Sequence, residues 1–119
     1  MADRWTALNS FWNSFGLHAY DENTVPDGAE LPYITYEAAT SQLDDPVYMS
    51  ASIWYKSNSW AEVSQKAEEI SNYIEGGAGV QYDSGRLWIR RGVPFAQRMS
   101  EPTDPLVRRI VLQIFVEYQ

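Results

Sequence analysis

Side chains able to do covalent or proton-transfer chemistry are few in this 119-residue chain, and their spacing does not assemble a site. There is one histidine, His18, and no cysteine. A serine or threonine nucleophile needs a base beside it. His18, set in Gly16-Leu17-His18-Ala19-Tyr20, reads instead as a surface or edge-strand residue. Zinc takes several His or Cys ligands, more than this chain can supply. Carboxylates are plentiful, 16 in all, but Asp21-Glu22 and Asp44-Asp45 lack the spacing of a calcium loop and read as solvated turn residues. A glycosidase pair is defined by separation in space, and the sequence singles out no pair. Gly76-Gly77-Ala78-Gly79 could suggest a phosphate cradle, yet such loops follow a strand and open a helix, whereas these glycines close one. The expectation is a non-enzyme with no catalytic residue, metal or cofactor.

Aromatic rings offer a second kind of chemistry. The chain has 5 Trp and 8 Tyr, and exposed rings on a sheet could stack against sugars or single-stranded bases. Helical spacing assigns Trp5, Trp12 and Trp60 to a core, which leaves Trp54 and Trp88 for such a carbohydrate-binding module.

The elements that would position these residues follow from periodicity. Trp5, Leu8, Phe11, Trp12 and Phe15 fall on one stripe of a helix over 3–15, with Asp3 as N-cap and Gly16 as stop. A short strand over 17–20 and a loop over 21–30 follow. The stretch 31–38 reads as a strand, bounded by Pro32 and the turn Leu43-Asp44-Asp45-Pro46, and pairs as an antiparallel hairpin with an alternating strand over 47–56. Ser59-Trp60-Ala61-Glu62 fits a capping box. The helix it opens carries the stripe Trp60, Val63, Ala67, Ile70, Ile74 and ends at Gly76-Gly77. Strands over 80–82 and 86–90 flank the tight turn Asp83-Ser84-Gly85, and a long strand over 106–118 alternates one apolar face with one mixed face. The order predicts one α+β domain over 1–119: an antiparallel sheet of about four to six strands with two helices on one face.

Between the last strands lies the segment 91–105, longer than most connections, a length associated with function. It holds Phe95, Arg98 and Met99, residue types enriched at interfaces. The plainer reading is an extension of the flanking hairpin followed by a surface loop. Charge is unevenly placed: residues 1–78 carry 12 acidic and 3 basic side chains, and residues 79–119 carry 4 and 6. One copy's basic part could therefore meet another's acidic part. The net charge of −7 argues against nonspecific binding to phosphate backbones. The polar N-terminus and the lack of an apolar run near roughly 18 residues predict a soluble chain with no membrane partner, made and used in a cytoplasm.

Three stretches carry a resemblance: Tyr20-Asp21-Glu22-Asn23-Thr24-Val25-Pro26 followed by Leu31-Pro32-Tyr33-Ile34-Thr35-Tyr36, then Ser52-Ile53-Trp54-Tyr55-Lys56-Ser57-Asn58-Ser59-Trp60, then Arg91-Gly92-Val93-Pro94-Phe95-Ala96-Gln97-Arg98. Together they resemble the tail terminator, or tail completion, neck proteins of long-tailed siphophages and prophages, over most of the chain. The family is divergent and has no catalytic motif to carry over.

The resemblance implies an α+β virion structural protein at the tail-neck junction, made in the host bacterial cytoplasm. Such subunits form a hexameric ring, cap the tail tube, end tail polymerisation and present a head-tail joining surface. The implied partners are further copies of the chain, the major tail tube protein and the head-tail connector protein, with DNA passing through the lumen without specific binding. The residues expected at the subunit or tail-tube interface are Phe95, Arg98, Met99, Arg108 and Arg109. Another neck component, such as a head completion or connector-stopper protein, is the alternative within the same class.

Overall fold

A computed structural model describes residues 3–37, 47–83, 85–101 and 103–118 of the chain. Two helices, α1 (Arg4–Asn13) and α2 (Ala61–Ile74), pack on six strands: β1 (His18–Asp21), β2 (Tyr33–Tyr36), β3 (Val47–Lys56), β4 (Ala78–Tyr82), β5 (Gly85–Met99) and β6 (Val107–Tyr118). The strands form one sheet in the order β1-β2-β3-β6-β5-β4. This is the expected α+β fold, antiparallel except that β1 runs parallel to β2. Both expected hairpins form, with Ile34 opposite Ile53 and Val80 opposite Leu87. The turn expected over 43–46 and Ser84 of the second turn lie outside the described residues.

One sheet face is apolar and lies under the helices. Ile34, Met49, Ile53, Leu87, Ile89, Ile110, Leu112, Ile114 and Val116 are buried there, which is the side-chain alternation of half-buried strands. From above, α2 contributes Val63, Ala67, Ile70 and Ile74 and α1 contributes Leu8, Phe11 and Trp12. The helices meet through Tyr73, whose ring lies edge-on to Phe15 at 5.3 Å. Helix α1 touches both marginal strands, β1 and β4, so the sheet curls around it.

Local signals explain most element ends. Asp3 caps α1 by accepting a bond from the Thr6 N–H at 2.8 Å, and Gly16, with φ of +85°, turns the chain toward β1. Gly77 ends the α2 region at φ +106°, where an added Cβ would lie 2.1 Å from the Trp88 ring.

Three details depart from expectation. Trp5 is 43% exposed rather than core; at 100° per residue it stands about a quarter turn from the centre of the buried arc, just beyond Trp12 at its edge. The capping box does not form. The Ser57 and Ser59 hydroxyls instead accept from N–H groups two residues on, at Ser59 and Ala61, so the cap falls on Trp60 without a side-chain bond. Finally, of the two readings of the segment after Arg91 the plainer holds against a long functional connection: the hairpin strand extends to Met99, leaving a much shorter connection to β6. Gly92 permits this because it packs against Gln113 more closely than a side chain would allow, 3.0 Å from a built Cβ to the Gln113 carbonyl.

Candidate assembly interface

The five singled-out residues all belong to the far end of β5 and the start of β6. Pairing between these strands slips at a wide bulge: Arg91 lies opposite Ile114 and Ala96 opposite Leu112, so Gly92 through Phe95 face Gln113 alone. Bulges of this kind bend a strand and re-aim its side chains. Val93 at the tip is 91% exposed, while Phe95 turns back and packs, half-buried, against the core. Phe95 thus has a structural role within the subunit.

Beyond the bulge, alternate side chains go to opposite faces. Arg98 pairs in register with Ile110 and shares the helix face with Arg108. Both guanidiniums lie over the Trp60 ring, at 5.1 and 5.5 Å from its centre. Stacking on an indole holds a cation without consuming its hydrogen-bond donors. Arg98 also reaches the Ser64 hydroxyl at 3.5 Å, whereas the buried Nε of Arg108 has no hydrogen-bond partner among the described residues.

Arg109 and Met99 sit opposite one another and face the open side of the sheet. Arg109 lies 4.5 Å over Trp54 and donates from Nε to the Ser52 hydroxyl at 3.1 Å. The Trp54 Nε1–H in turn donates to Thr35 at 2.9 Å. At the near side of the bulge Arg91 donates to Ser71 on α2 at 3.0 Å. Among the described residues none of Arg91, Arg98, Arg108 and Arg109 is ion-paired with a carboxylate, in contrast to Arg90 with Glu117 and Lys56 with Asp104.

A shallow groove of about 190 Å³ runs between α2 and β5, lined by Ser64, Ala67, Glu68, Ala96, Arg98 and Ile110. On β3, opposite Arg108, burial pushes the Tyr55 phenol above its ordinary pKa, with Glu62 and Glu69 adding to the effect.

The two margins of the sheet are finished differently. At β1 the Asn13 side-chain amide acts as a strand would, accepting from the Ala19 N–H at 3.0 Å and donating to its carbonyl at 3.3 Å. At the other margin β4 pairs only with Gly85–Ile89 of β5. From Arg90 to Met99 the outer edge of β5 has no strand beside it among the described residues.

The part of the open face formed by β1, β2 and the end of β3 carries a row of aromatic rings. His18, Tyr20, Tyr33 and Trp54 lie in a row with successive ring centres 6.2, 5.7 and 6.5 Å apart. Neither indole set aside for sugar stacking is bare: Arg109 covers Trp54, and Trp88 is half-buried under Arg86. His18 is exposed on an edge strand. Among the described residues no three His, Asp or Glu side chains gather around a common point, and no helix is long and apolar enough to cross a membrane.

The sequence pointed to Arg98, Arg108 and Arg109 by length and composition, but not to the indoles beneath them. Trp60 and Arg108 are far apart along the chain and meet through the pairing of β3 with β6, where Tyr55 lies opposite Arg108. The Asn13 bridge to β1 carried no sequence signal beyond an asparagine at the end of an apolar stripe.

No family model matches the chain, and no curated protein matches it. Among solved structures the fold is similar to that of a chain from the virion of a native gene transfer agent particle, with a TM-score of 0.66 and 20% identity, covering 98% of this chain and 86% of that one. At that identity the likeness is one of fold.

Proposed function

We propose that this chain is a virion structural protein of the tail terminator kind. Copies close into a hexameric ring that caps the tail tube, ends its polymerisation and offers the surface to which the head joins. The observation that carries this reading is the set of guanidiniums at the end of β5 and start of β6, held on Trp60 and Trp54 but without a carboxylate partner among the described residues. Cations presented this way suit an anionic neighbour better than they suit the isolated subunit. Likeness of fold along nearly the whole chain to a protein of a gene transfer agent virion supports the same reading, as does the sequence resemblance.

In this proposal Arg98, Met99, Arg108 and Arg109 meet a neighbouring subunit or the tail tube, and Phe95 anchors the bulge that aims them. The partners are further copies, the major tail tube protein and the head-tail connector protein. The net charge of −7 suits a lumen through which DNA slides without being held. The protein is made in the host cytoplasm and ends at the tail-neck junction.

Electron microscopy of the purified chain mixed with preformed tail tubes tests this. A sixfold cap on one end of the tubes is expected. Association with connectors but never with tubes would make the chain another neck component, and association with neither would contradict the proposal.

A further inference from the structure

Two surfaces at opposite margins of the sheet are unsatisfied in complementary ways. The outer edge of β5 past Ile89 has no neighbouring strand among the described residues. Its exposed backbone N–H groups need acceptors, and Arg91 and Arg98 flank it with cations that have no carboxylate partner among the described residues. At the far margin, beyond β1 and its Asn13 cap, the loop between β1 and β2 exposes Glu22, Asp27 and Glu30. None of these three carboxylates is ion-paired among the described residues.

We propose that the acidic loop after β1 of one copy docks on the arginine-flanked open edge of β5 of the next. This deepens the assembly reading above and rests on it. The sheet order β1-β2-β3-β6-β5-β4 sets these surfaces several strands apart, so one subunit cannot join them to each other. The contact is heterologous, the kind that propagates from copy to copy until a ring closes. Two β5 edges do not pair with each other, because each would bring Arg91 and Arg98 against like charges. Two β1 edges do not pair because Asn13 already occupies the Ala19 backbone groups. The remaining combination sets the acidic loop against the basic edge. Carboxylates there accept from guanidiniums and from edge N–H groups alike, both as charge-assisted bonds.

Complementary charge reversal tests the contact in the full chain. One variant carries Arg91→Glu and Arg98→Glu; the other carries Asp27→Lys and Glu30→Lys. Sedimentation velocity is run on each alone and on the equimolar mixture. Each variant alone is expected to self-associate on the order of 100-fold more weakly than the unaltered chain. The mixture is expected to regain assembly, because every interface between unlike variants again sets opposite charges together. Rising salt weakens association of the unaltered chain. Assembly by either variant alone at the unaltered level, failure of the mixture to recover, or an unaltered chain that stays monomeric at every concentration would overturn the contact. Tail length is read separately in phage complemented with each variant and with both. Normal tails with either single variant count against this contact alone, whereas normal tails without any copy of the chain count against the assembly role.

Discussion

Arg108 lies over the Trp60 ring at 5.5 Å while its buried Nε has no hydrogen-bond partner among the described residues. A buried donor without an acceptor costs stability, so the isolated subunit gains little from this guanidinium. Arg108→Met keeps the stem and removes the donor. Its unfolding free energy in urea is expected to stay within about 1 kcal/mol of the unaltered chain, or to rise, while assembly weakens. A loss of about 3 kcal/mol or more would mean that the guanidinium is a structural member of the subunit.

Gly76 and Gly77 separate two costs that are usually mixed. Both have positive φ, +79° and +106°, but an added Cβ meets nothing within 4 Å at Gly76 and the Trp88 ring at Gly77. Gly76→Ala is expected to cost about 1 kcal/mol from backbone conformation alone. Gly77→Ala is expected to cost about 2–4 kcal/mol, because the Trp88 ring must also move. Thermal unfolding of the two variants reads the difference, and equal losses would contradict the packing described.

Much of the fold was readable in the sequence because it repeats locally. The α2 stripe Val63, Ala67, Ile70, Ile74 and the alternation of β6 are short-range patterns, and the stripe and the β6 face Ile110, Leu112, Ile114, Val116 are buried. What was not readable depends on distant residues. Gly92-Val93-Pro94 looks like a strand end, and only the close packing of Gly92 on Gln113 and the register with β6 show the strand carrying on, its pairing taken up again at Ala96. The parallel pairing of β1 with β2 is likewise a tertiary choice. The arginine cluster shows the same division: its members are visible in composition, but Trp60 comes beneath Arg98 and Arg108 only when β6 pairs with both β3 and β5 in this register.

Asn13 makes two bonds to the edge of β1. Asn13→Ala removes both and bares the Ala19 backbone. The expected result is a loss of about 1 kcal/mol together with concentration-dependent aggregation by light scattering, as an uncovered edge invites pairing. Unchanged solubility and stability would show that the bridge is incidental.

The Asp3 carboxyl is held below its ordinary value of 3.8 by the bonds it accepts from Thr6. A carboxyl whose pKa is lowered by folding stabilises the folded state above its unfolded pKa, and that contribution fades as pH falls toward the folded value. Asp3→Asn keeps a capping oxygen without the titration. Its stability is expected to vary less than that of the unaltered chain between pH 5 and about pH 2, measured by denaturant unfolding at each pH. Identical acid profiles would contradict the cap.

The assembly role is tested most directly by the length of tails made when the coding sequence is deleted. The proposal predicts tubes of uncontrolled length that fail to join heads, with restoration by the unaltered chain supplied in trans. Tails of normal length, joined to heads in normal number, would contradict it.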